Sequence, residues 1–253
     1  MLSEERRREI LEMLQSEGRV LVGALASRFR TSQITIRKDL EFLQHEGQLE
    51  RTHGGALPVK TGALRDRSIQ EKEQMHRREK LRIAEAAVHM IRQGQVIILD
   101  SGTTTTAIAR SVRNIKNLTV ITNATNIAAE LADSSVEVIL TGGVLRKNSF
   151  SLVGPLAEES LKKLSADLLF LAVDGFDVRY GLTTPNVLEA RVNRVMAESA
   201  RRVVVVCDSS KFGQRSLALI MPTGSVHETI TDKRIPKKDL KVLREANVEV
   251  RLV

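Results

Sequence analysis

Thr31-Ser32-Gln33-Ile34-Thr35-Ile36-Arg37-Lys38-Asp39-Leu40 is the stretch on which the reading of the chain turns. Thr31 and Ser32 are residues of the kind that cap a helix, because their oxygens accept from the free N–H groups of its first turn. The helix they open runs from Gln33 to about Glu46, with Ile36, Leu40 and Leu43 as its inward stripe and Gly47 as its end. Its other face begins with Ser32, Gln33 and Thr35 and continues with Arg37 and Lys38, while Arg28 and Arg30 stand just upstream. Small polar groups followed by cations on one helical face can donate both to base edges and to phosphate oxygens.

Upstream, Ile10, Leu11 and Leu14 recur at helical spacing between Glu4 and Ser16, and Gly18 closes that helix. A second, short helix spans Val22 to Phe29, with Leu25 and Phe29 one turn apart and Ala24 and Ala26 permitting close packing. Downstream, Gln48 to Leu57 holds a short strand and the Gly54-Gly55 turn, which together make a wing carrying Arg51 and His53 toward the backbone or minor groove. Amphipathic three-helix units are common, and a basic helix face is ordinarily just solvated. The joint order of helix, turn, polar-basic helix, glycine stop and glycine wing is what points to a helix laid in the major groove of duplex DNA. Arg28, Thr31, Ser32, Gln33, Thr35, Arg37, Lys38, Arg51 and His53 are the expected DNA contacts.

Composition agrees without deciding. The 253 residues carry 39 Lys and Arg against 31 Asp and Glu, a net charge of +8 that strengthens encounter with any polyanion. Aromatics are only 3% of the chain, too few for a binder that stacks single-stranded bases on rings, so a double-stranded operator is the expected partner. The single cysteine, Cys207, excludes an intrachain disulfide and a multi-cysteine metal site and fits a reducing cytoplasm. The charged start through Arg8 lacks the apolar stretch of an export signal, and runs such as Leu168 to Val173 are far too short to cross a bilayer, so no membrane association is expected.

From Pro58 to about Glu73 the chain mixes Pro, Gly and alternating charge, which places a domain boundary there. The expected division is a DNA-binding domain over 1–58, a linker over 59–75 and a second domain over 76–253. The second domain opens on a helix with Leu81, Ala84, Val88 and Ile91 at helical spacing, stopped by Gly94. Strand patterns follow at Val96 to Leu99, Leu118 to Thr122, Glu137 to Leu140, Leu168 to Val173, Val203 to Cys207 and Glu249 to Leu252, separated by helical ones. That rhythm predicts an α/β fold, a mostly parallel sheet covered by helices on both faces, with ligands collecting where strands end in loops.

The loop after the first of these strands reads Asp100-Ser101-Gly102-Thr103-Thr104-Thr105 and runs into a helix. A glycine turn, hydroxyl donors and unpaired N–H groups at a helix start make a cradle for an anion such as phosphate. Neither nucleotide-binding glycine fingerprint is present, so no nucleotide cofactor is expected. Other strand ends supply Asn123, Gly142 and Gly143 with nearby Arg146, Asp174, and Lys211. Hydroxyls, an amide, carboxylates and cations on one edge suit a phosphorylated, polyhydroxylated ligand, Arg146 or Lys211 meeting the charge and Asp174 and Asn123 the hydroxyls.

Leu25-Ala26-Ser27-Arg28-Phe29, Thr35 to Leu40 and Arg51-Thr52-His53-Gly54-Gly55-Ala56 resemble the helix-turn-helix of the DeoR family. That family usually has a small hydrophobic residue before the serine of the turn, where this chain has Thr31. Leu99 to Ala109, Thr141-Gly142-Gly143, Asp174-Gly175, Gly181 to Thr184 with Glu189-Ala190-Arg191, and Asp208 to Phe212 resemble the same family's sensor domain. The resemblance implies a winged helix-turn-helix joined to a sensor similar to ribose-5-phosphate isomerase and glucosamine-6-phosphate deaminase. It also implies a sugar-phosphate effector, adds Thr183 and Glu189 to the expected ligand contacts, and favours a repressor of sugar or amino-sugar catabolism.

The same likeness supplies the rival reading, a sugar-phosphate isomerase or deaminase-like enzyme, in which Asp174, Asp177 and Glu189 would move protons. Where the isomerase carries a lysine-bearing glycine loop, this chain has Tyr180-Gly181-Leu182-Thr183-Thr184-Pro185, so binding without turnover is the expectation. The five histidines, His45, His53, His76, His89 and His227, show no metal-ligand spacing, and no metal is expected. A homo-oligomer, dimer or tetramer, would place two reading helices on two half-sites, with the helix from Arg77 to Ile91 relaying the sensor's state.

Overall fold

The computed structural model describes residues 2–58 and 66–253; residues 59–65 of the expected linker lie outside the described residues. The chain divides into two compact units, one of Met1–Gly62 with Gln74–His76 and one of Ala63–Glu73 with Arg77–Val253.

The first unit contains α1 (Ser3–Glu17), β1 (Val20–Leu21), α2 (Val22–Arg28), α3 (Gln33–His45), β2 (Leu49–Thr52) and β3 (Gly55–Pro58). Ile10, Leu14, Leu25, Ile36, Leu40, Leu43 and Leu49 close its core. The wing is three-stranded, in the order β1-β3-β2, since Val20 and Leu21 add a strand that their two residues do not announce in sequence. A Cβ on Gly55 would fall 1.9 Å from the Val20 carbonyl oxygen, so only glycine lets β3 approach β1. Asp39 is buried on the inward side of α3 and binds Arg6 Nε at 2.6 Å and Arg7 Nε at 2.9 Å, pinning α1 to α3.

The turn between α2 and α3 is closed by backbone bonds from Thr31 N to Ala26 O (3.0 Å) and from Arg30 N to Ser27 O (3.3 Å). This pair of bonds is a Schellman ending, and Arg30 occupies its left-handed position with φ 47°, where glycine is usual. Gly47 ends α3 in the same way with φ 71°.

The second unit begins with α4 (Ile69–Gln74) and α5 (Arg77–Val88), followed by β4 (Val96–Leu99), α6 (Thr103–Val112), β5 (Thr119–Thr122), α7 (Thr125–Leu131) and β6 (Glu137–Leu140). Next come β7 (Val144–Arg146), β8 (Ser151–Val153), α8 (Pro155–Lys162), β9 (Ala166–Leu171), β10 (Gly175–Asp177), β11 (Gly181–Thr184) and α9 (Val187–Glu198). The remainder is β12 (Ala200–Val206), β13 (Ala218–Met221), β14 (Glu228–Thr231), α10 (Lys237–Glu245) and β15 (Glu249–Leu252). Seven strands form one parallel sheet in the order β15-β14-β12-β9-β4-β5-β6. Alternate residues serve its two faces. Ile98, Ile121, Leu169, Val203 and Val205 join the cluster under α8, α9 and α10, whereas Ile97, Leu99, Val120, Phe170 and Val204 join the cluster under α5, α6 and α7.

Several sequence expectations need correction. Leu81 is 54% exposed and Val88 half-buried, whereas Ala84 and Ile91 are buried as expected, and Lys80, Ile83 and Ala87 complete the inward side of α5. The helix stops at Val88, before Gly94. A short helix, α4, occurs where alternating charge suggested a featureless segment. The strand β14 escaped because its residues are Glu-Thr-Ile-Thr; Glu228, buried, is matched by Arg202 at 2.9 Å and Arg251 at 3.0 Å. The small sheets β7-β8 and β10-β11-β13 are antiparallel additions that the alternating rhythm concealed.

Candidate functional site

In the first unit α3 turns its charged face outward. Arg28, Ser32, Gln33, Arg37 and Lys38 are exposed, as are Arg51 and His53 on the wing. Ser32 caps α3 by accepting from Thr35 N at 3.1 Å, and its hydroxyl also lies 2.9 Å from that of Thr35. Thr35 is half-buried, while Thr31 is half-buried and part of the Schellman turn, so these two shape the entry to α3 more than they present a free face. Ile34, 65% exposed in the first turn, was not singled out from sequence, because apolar residues are sought on the inward side. An exposed apolar group there can meet a thymine methyl.

In the second unit the sheet order fixes the crevice. The chain leaves β4 toward β5 and β6 on one side and returns on the other through β9, so the β4 and β9 ends diverge at the topological switch point. Asp100 follows β4 and accepts from Ala172 N, just beyond β9, at 3.0 Å. Burial pushes its carboxyl up to about 8, against the pull of the Ala172 N–H, with Glu189 and Asp174 adding to the rise. At neutral pH Asp100 is therefore protonated and does not repel an incoming anion.

Behind it, Ser101, Gly102 and Thr103 are half-buried and lead into α6, whose first N–H groups lack helical partners. Gly102 has extended backbone (φ −165°); what demands glycine is the Ala172 methyl, 2.6 Å from where a Cβ would stand. Thr105 is fully buried and donates to Asp100 O at 2.8 Å and Gly102 O at 2.9 Å, so it braces the loop. Thr104 is buried as well.

Asp174 follows β9 and binds Lys72 of α4 at 2.6 Å and the Thr184 hydroxyl at 3.2 Å. Burial alone would raise its carboxyl, but the charges of Lys72 and Lys211 outweigh that and hold it below the ordinary carboxylate range. Glu189, in the first turn of α9, is buried and accepts from the hydroxyls of Ser149, Ser151 (2.8 Å) and Thr184 (3.3 Å). Arg146 approaches it at 2.6 Å and on its other side binds Asp66. Arg146 is thus already engaged twice and can meet a ligand only in place of Asp66, whereas half-buried Lys211, at the end of a short 3-10 turn, is the cation open to a ligand directly.

Of the other expected ligand residues, Thr183 is fully buried in β11, its hydroxyl donating to Gly175 O at 3.2 Å and accepting from Ser216 N at 2.9 Å. Asn123 is buried and donates to Leu152 O at 3.1 Å. Gly143, with φ 132°, lies against the Val153 backbone, while Gly142 is exposed. Asp177 is taken up by Arg215 at 2.7 Å and by the N–H groups of Arg179 and Tyr180, a turn arrangement unsuited to proton transfer. Three participants were missed: Asp66 and Lys72, in a stretch read as linker, and Lys80, a charged residue on the inward side of α5. Lys80 donates to Lys72 O, and burial lowers its ammonium to about 8, opposed by Asp208. Burial pushes the Cys207 thiol up, as expected of a core residue. Among the described residues no cluster of His, Cys, Asp and Glu could hold a metal ion, and no helix is long and apolar enough to cross a membrane.

A winged helix-turn-helix carried on the same chain as a parallel-sheet unit with polar and charged side chains gathered at its switch point defines a two-module, DNA-binding regulator. Family models make the class specific: residues 6–61 match the DeoR-like helix-turn-helix domain, and residues 75–233 match the DeoR C-terminal sensor domain. The chain belongs to the DeoR family of transcriptional regulators.

Among its relatives, a putative aga operon transcriptional repressor of Escherichia coli O157:H7 is 43% identical over 251 residues, covering 98% of this chain and 93% of that one. The regulator GlpR of Haloferax volcanii is 39% identical, covering 99% and 98%, and the transcriptional repressor AccR of Agrobacterium fabrum is 35% identical, covering 97% and 98%. Among solved structures, ribose 5-phosphate isomerase A of Methanocaldococcus jannaschii is similar at TM-score 0.40 and 18% identity over 53% of each chain. The translation initiation factor eIF-2B of Pyrococcus horikoshii OT3 is similar at TM-score 0.43 and 16% identity over 86% of this chain and 69% of that one. These structural likenesses are too distant to argue from. The family, with Asp177 and Glu189 already engaged, leaves the enzyme reading unfavoured.

Proposed function

We propose that the protein is a cytoplasmic repressor of a sugar or amino-sugar catabolic operon that loosens its grip on a duplex operator when a phosphorylated sugar enters the sensor crevice. The observation that carries this reading is the meeting of Asp100, the α6 start and Asp174 at the β4/β9 switch point. The phosphate would rest on Ser101, Gly102 and Thr103 at the start of α6, with Lys211 supplying charge. Asp174 would accept from sugar hydroxyls. The aga operon named for the E. coli relative supports a carbohydrate operon as the target. In the DNA-binding unit, Gln33, Ile34 and Arg37 would read bases, Arg28, Lys38 and Arg51 would hold phosphates, and His53 would lie along the backbone. Association into a homo-oligomer would set two such units on paired half-sites.

The test is a titration of a labelled duplex from upstream of the protein's own gene cluster, with and without hexose and hexosamine phosphates. Selective duplex binding that one of these compounds weakens supports the proposal. Equal affinity for unrelated duplexes, unmoved by every compound, overturns it.

A further inference from the structure

Residues 66–73 lie along the second unit and are fastened at both ends to charged groups of the crevice. At one end the Asp66 carboxylate meets the Arg146 guanidinium and, at 3.1 Å, the Asn148 amide. At the other, Lys72 Nζ meets Asp174 at 2.6 Å. Between them Ile69 N donates to Asn148 O at 2.7 Å, and Ile69 is the only residue of the segment that is buried.

The segment thus carries one anion, on Arg146, and one cation, on Asp174, the acceptor proposed for sugar hydroxyls. Asp66 places one carboxylate oxygen, Oδ2, against both Arg146 and Asn148, as a ligand oxyanion would; Lys72 covers Asp174. Its attachment is suited to exchange. Besides Ile69 it is held by Lys80 donating to Lys72 O and by Glu73 against Arg110 at 3.0 Å, and the two ion pairs of the crevice are partly open to water, with side-chain exposures of 15% and 23% for Arg146 and Asp66 and of 22% and 20% for Lys72 and Asp174. Pairs this little exposed separate when another charge takes the partner's place, and a ligand carrying both anionic and donor groups supplies that replacement.

We propose that residues 66–73 form a strap whose Asp66 and Lys72 compete with the effector for Arg146 and Asp174, so that sugar-phosphate binding sets the strap free. This rests on the crevice being the effector site. In chain order the strap stands between the wing and α5, so freeing it slackens the covalent tether of the DNA-binding unit and gives the effector a route to weaken operator binding. Coupling of this kind requires the ligand to bind the released state more tightly than the fastened one.

The test uses the full-length protein, with glucose 6-phosphate, glucosamine 6-phosphate and galactosamine 6-phosphate as probes. Calorimetry measures affinity in the wild type, Asp66→Asn and Lys72→Gln, and hydrogen exchange follows the amides of residues 66–73. The expected result is faster exchange of the segment when the best probe binds, and affinity raised by about 5-fold or more in each variant, the low end of ordinary coupling. Tighter variants with unchanged exchange, equal affinities in all three proteins, or slower exchange with weaker variants would each overturn the strap while leaving the crevice reading intact. No binding of any probe to any of the three proteins would overturn the crevice reading and the strap together.

Discussion

Arg146 Nη1 lies 2.6 Å from Glu189 Oε1, and this pair joins the β7 end to the first turn of α9. Glu189 is buried and keeps three hydroxyl donors besides, so removing the guanidinium strands a carboxylate that water reaches poorly. Arg146→Ala is expected to destabilise the sensor unit by about 2 kcal/mol or more, as loss of one partner of a buried pair does. Lys211→Ala, at a half-buried position, is expected to leave the melting temperature nearly unchanged and to weaken effector binding by about 10-fold, the loss of one charge-assisted contact. Thermal melts with effector titrations separate the two roles, and an Arg146→Ala protein that melts like the wild type would disprove the structural one.

Arg37→Ala and Lys38→Ala should divide along the line between base reading and phosphate holding. Both side chains project from α3 into solvent. Loss of a phosphate contact at Lys38 should weaken every duplex alike and reduce the slope of log affinity against log salt by about 1. Loss of a base contact at Arg37 should cost about 1–3 kcal/mol on the operator and less on other duplexes. Effector affinity should stay unchanged in both variants. A parallel drop in effector affinity would contradict the division of labour between the two units.

The DNA-binding unit is legible in its sequence because each of its elements is punctuated locally: Ser32 caps α3, Gly18 and Gly47 end α1 and α3, and Gly54 lies in the turn of the wing. The central strands of the sensor are legible because they are short apolar runs between helical patterns. What escaped is what depends on distant partners. The inward position of Asp39 is stabilised by Arg6 and Arg7, over thirty residues away, and β14 is polar because Arg202 and Arg251 reach Glu228 from neighbouring strands. The candidate site divides the same way. The loop after β4 declares itself through adjacent hydroxyls, whereas Asp66 finds Arg146 across eighty residues, a pairing no local pattern encodes.

Arg30 holds a left-handed backbone conformation, φ 47°, at the end of α2, with no glycine to relieve it. A side chain there costs about 1 kcal/mol relative to glycine, partly offset by the greater freedom glycine gains in the unfolded chain. Arg30→Gly should therefore stabilise the DNA-binding unit by roughly 0.5 kcal/mol. Denaturant melts of the full chain, followed by a probe in the first unit, would show it as a higher midpoint with an unchanged slope. A lower midpoint would mean that the Arg30 side chain itself contributes more than its backbone loses.

Asp100 gives the sensor unit a pH dependence with a definite sign. Its carboxyl titrates near the ordinary 3.8 in the unfolded chain and near 8 when folded, because burial penalises the charged form. Between those values the folded protein binds the extra proton, so stability falls as pH rises: the contribution is complete below about pH 4, declines across the window and is gone above about pH 8. The decline amounts to about 1.4 kcal/mol per pH unit within the window for a single group. Asp100→Asn is neutral at every pH and can still accept from Ala172 N through its amide oxygen, so it should not share that decline. The difference in melting temperature between variant and wild type should therefore widen in favour of the variant from pH 5 to pH 8 and then level off. A difference that stays flat across this range would show that Asp100 is ionised in the folded protein, and the anion cradle would then have a negative charge at its base.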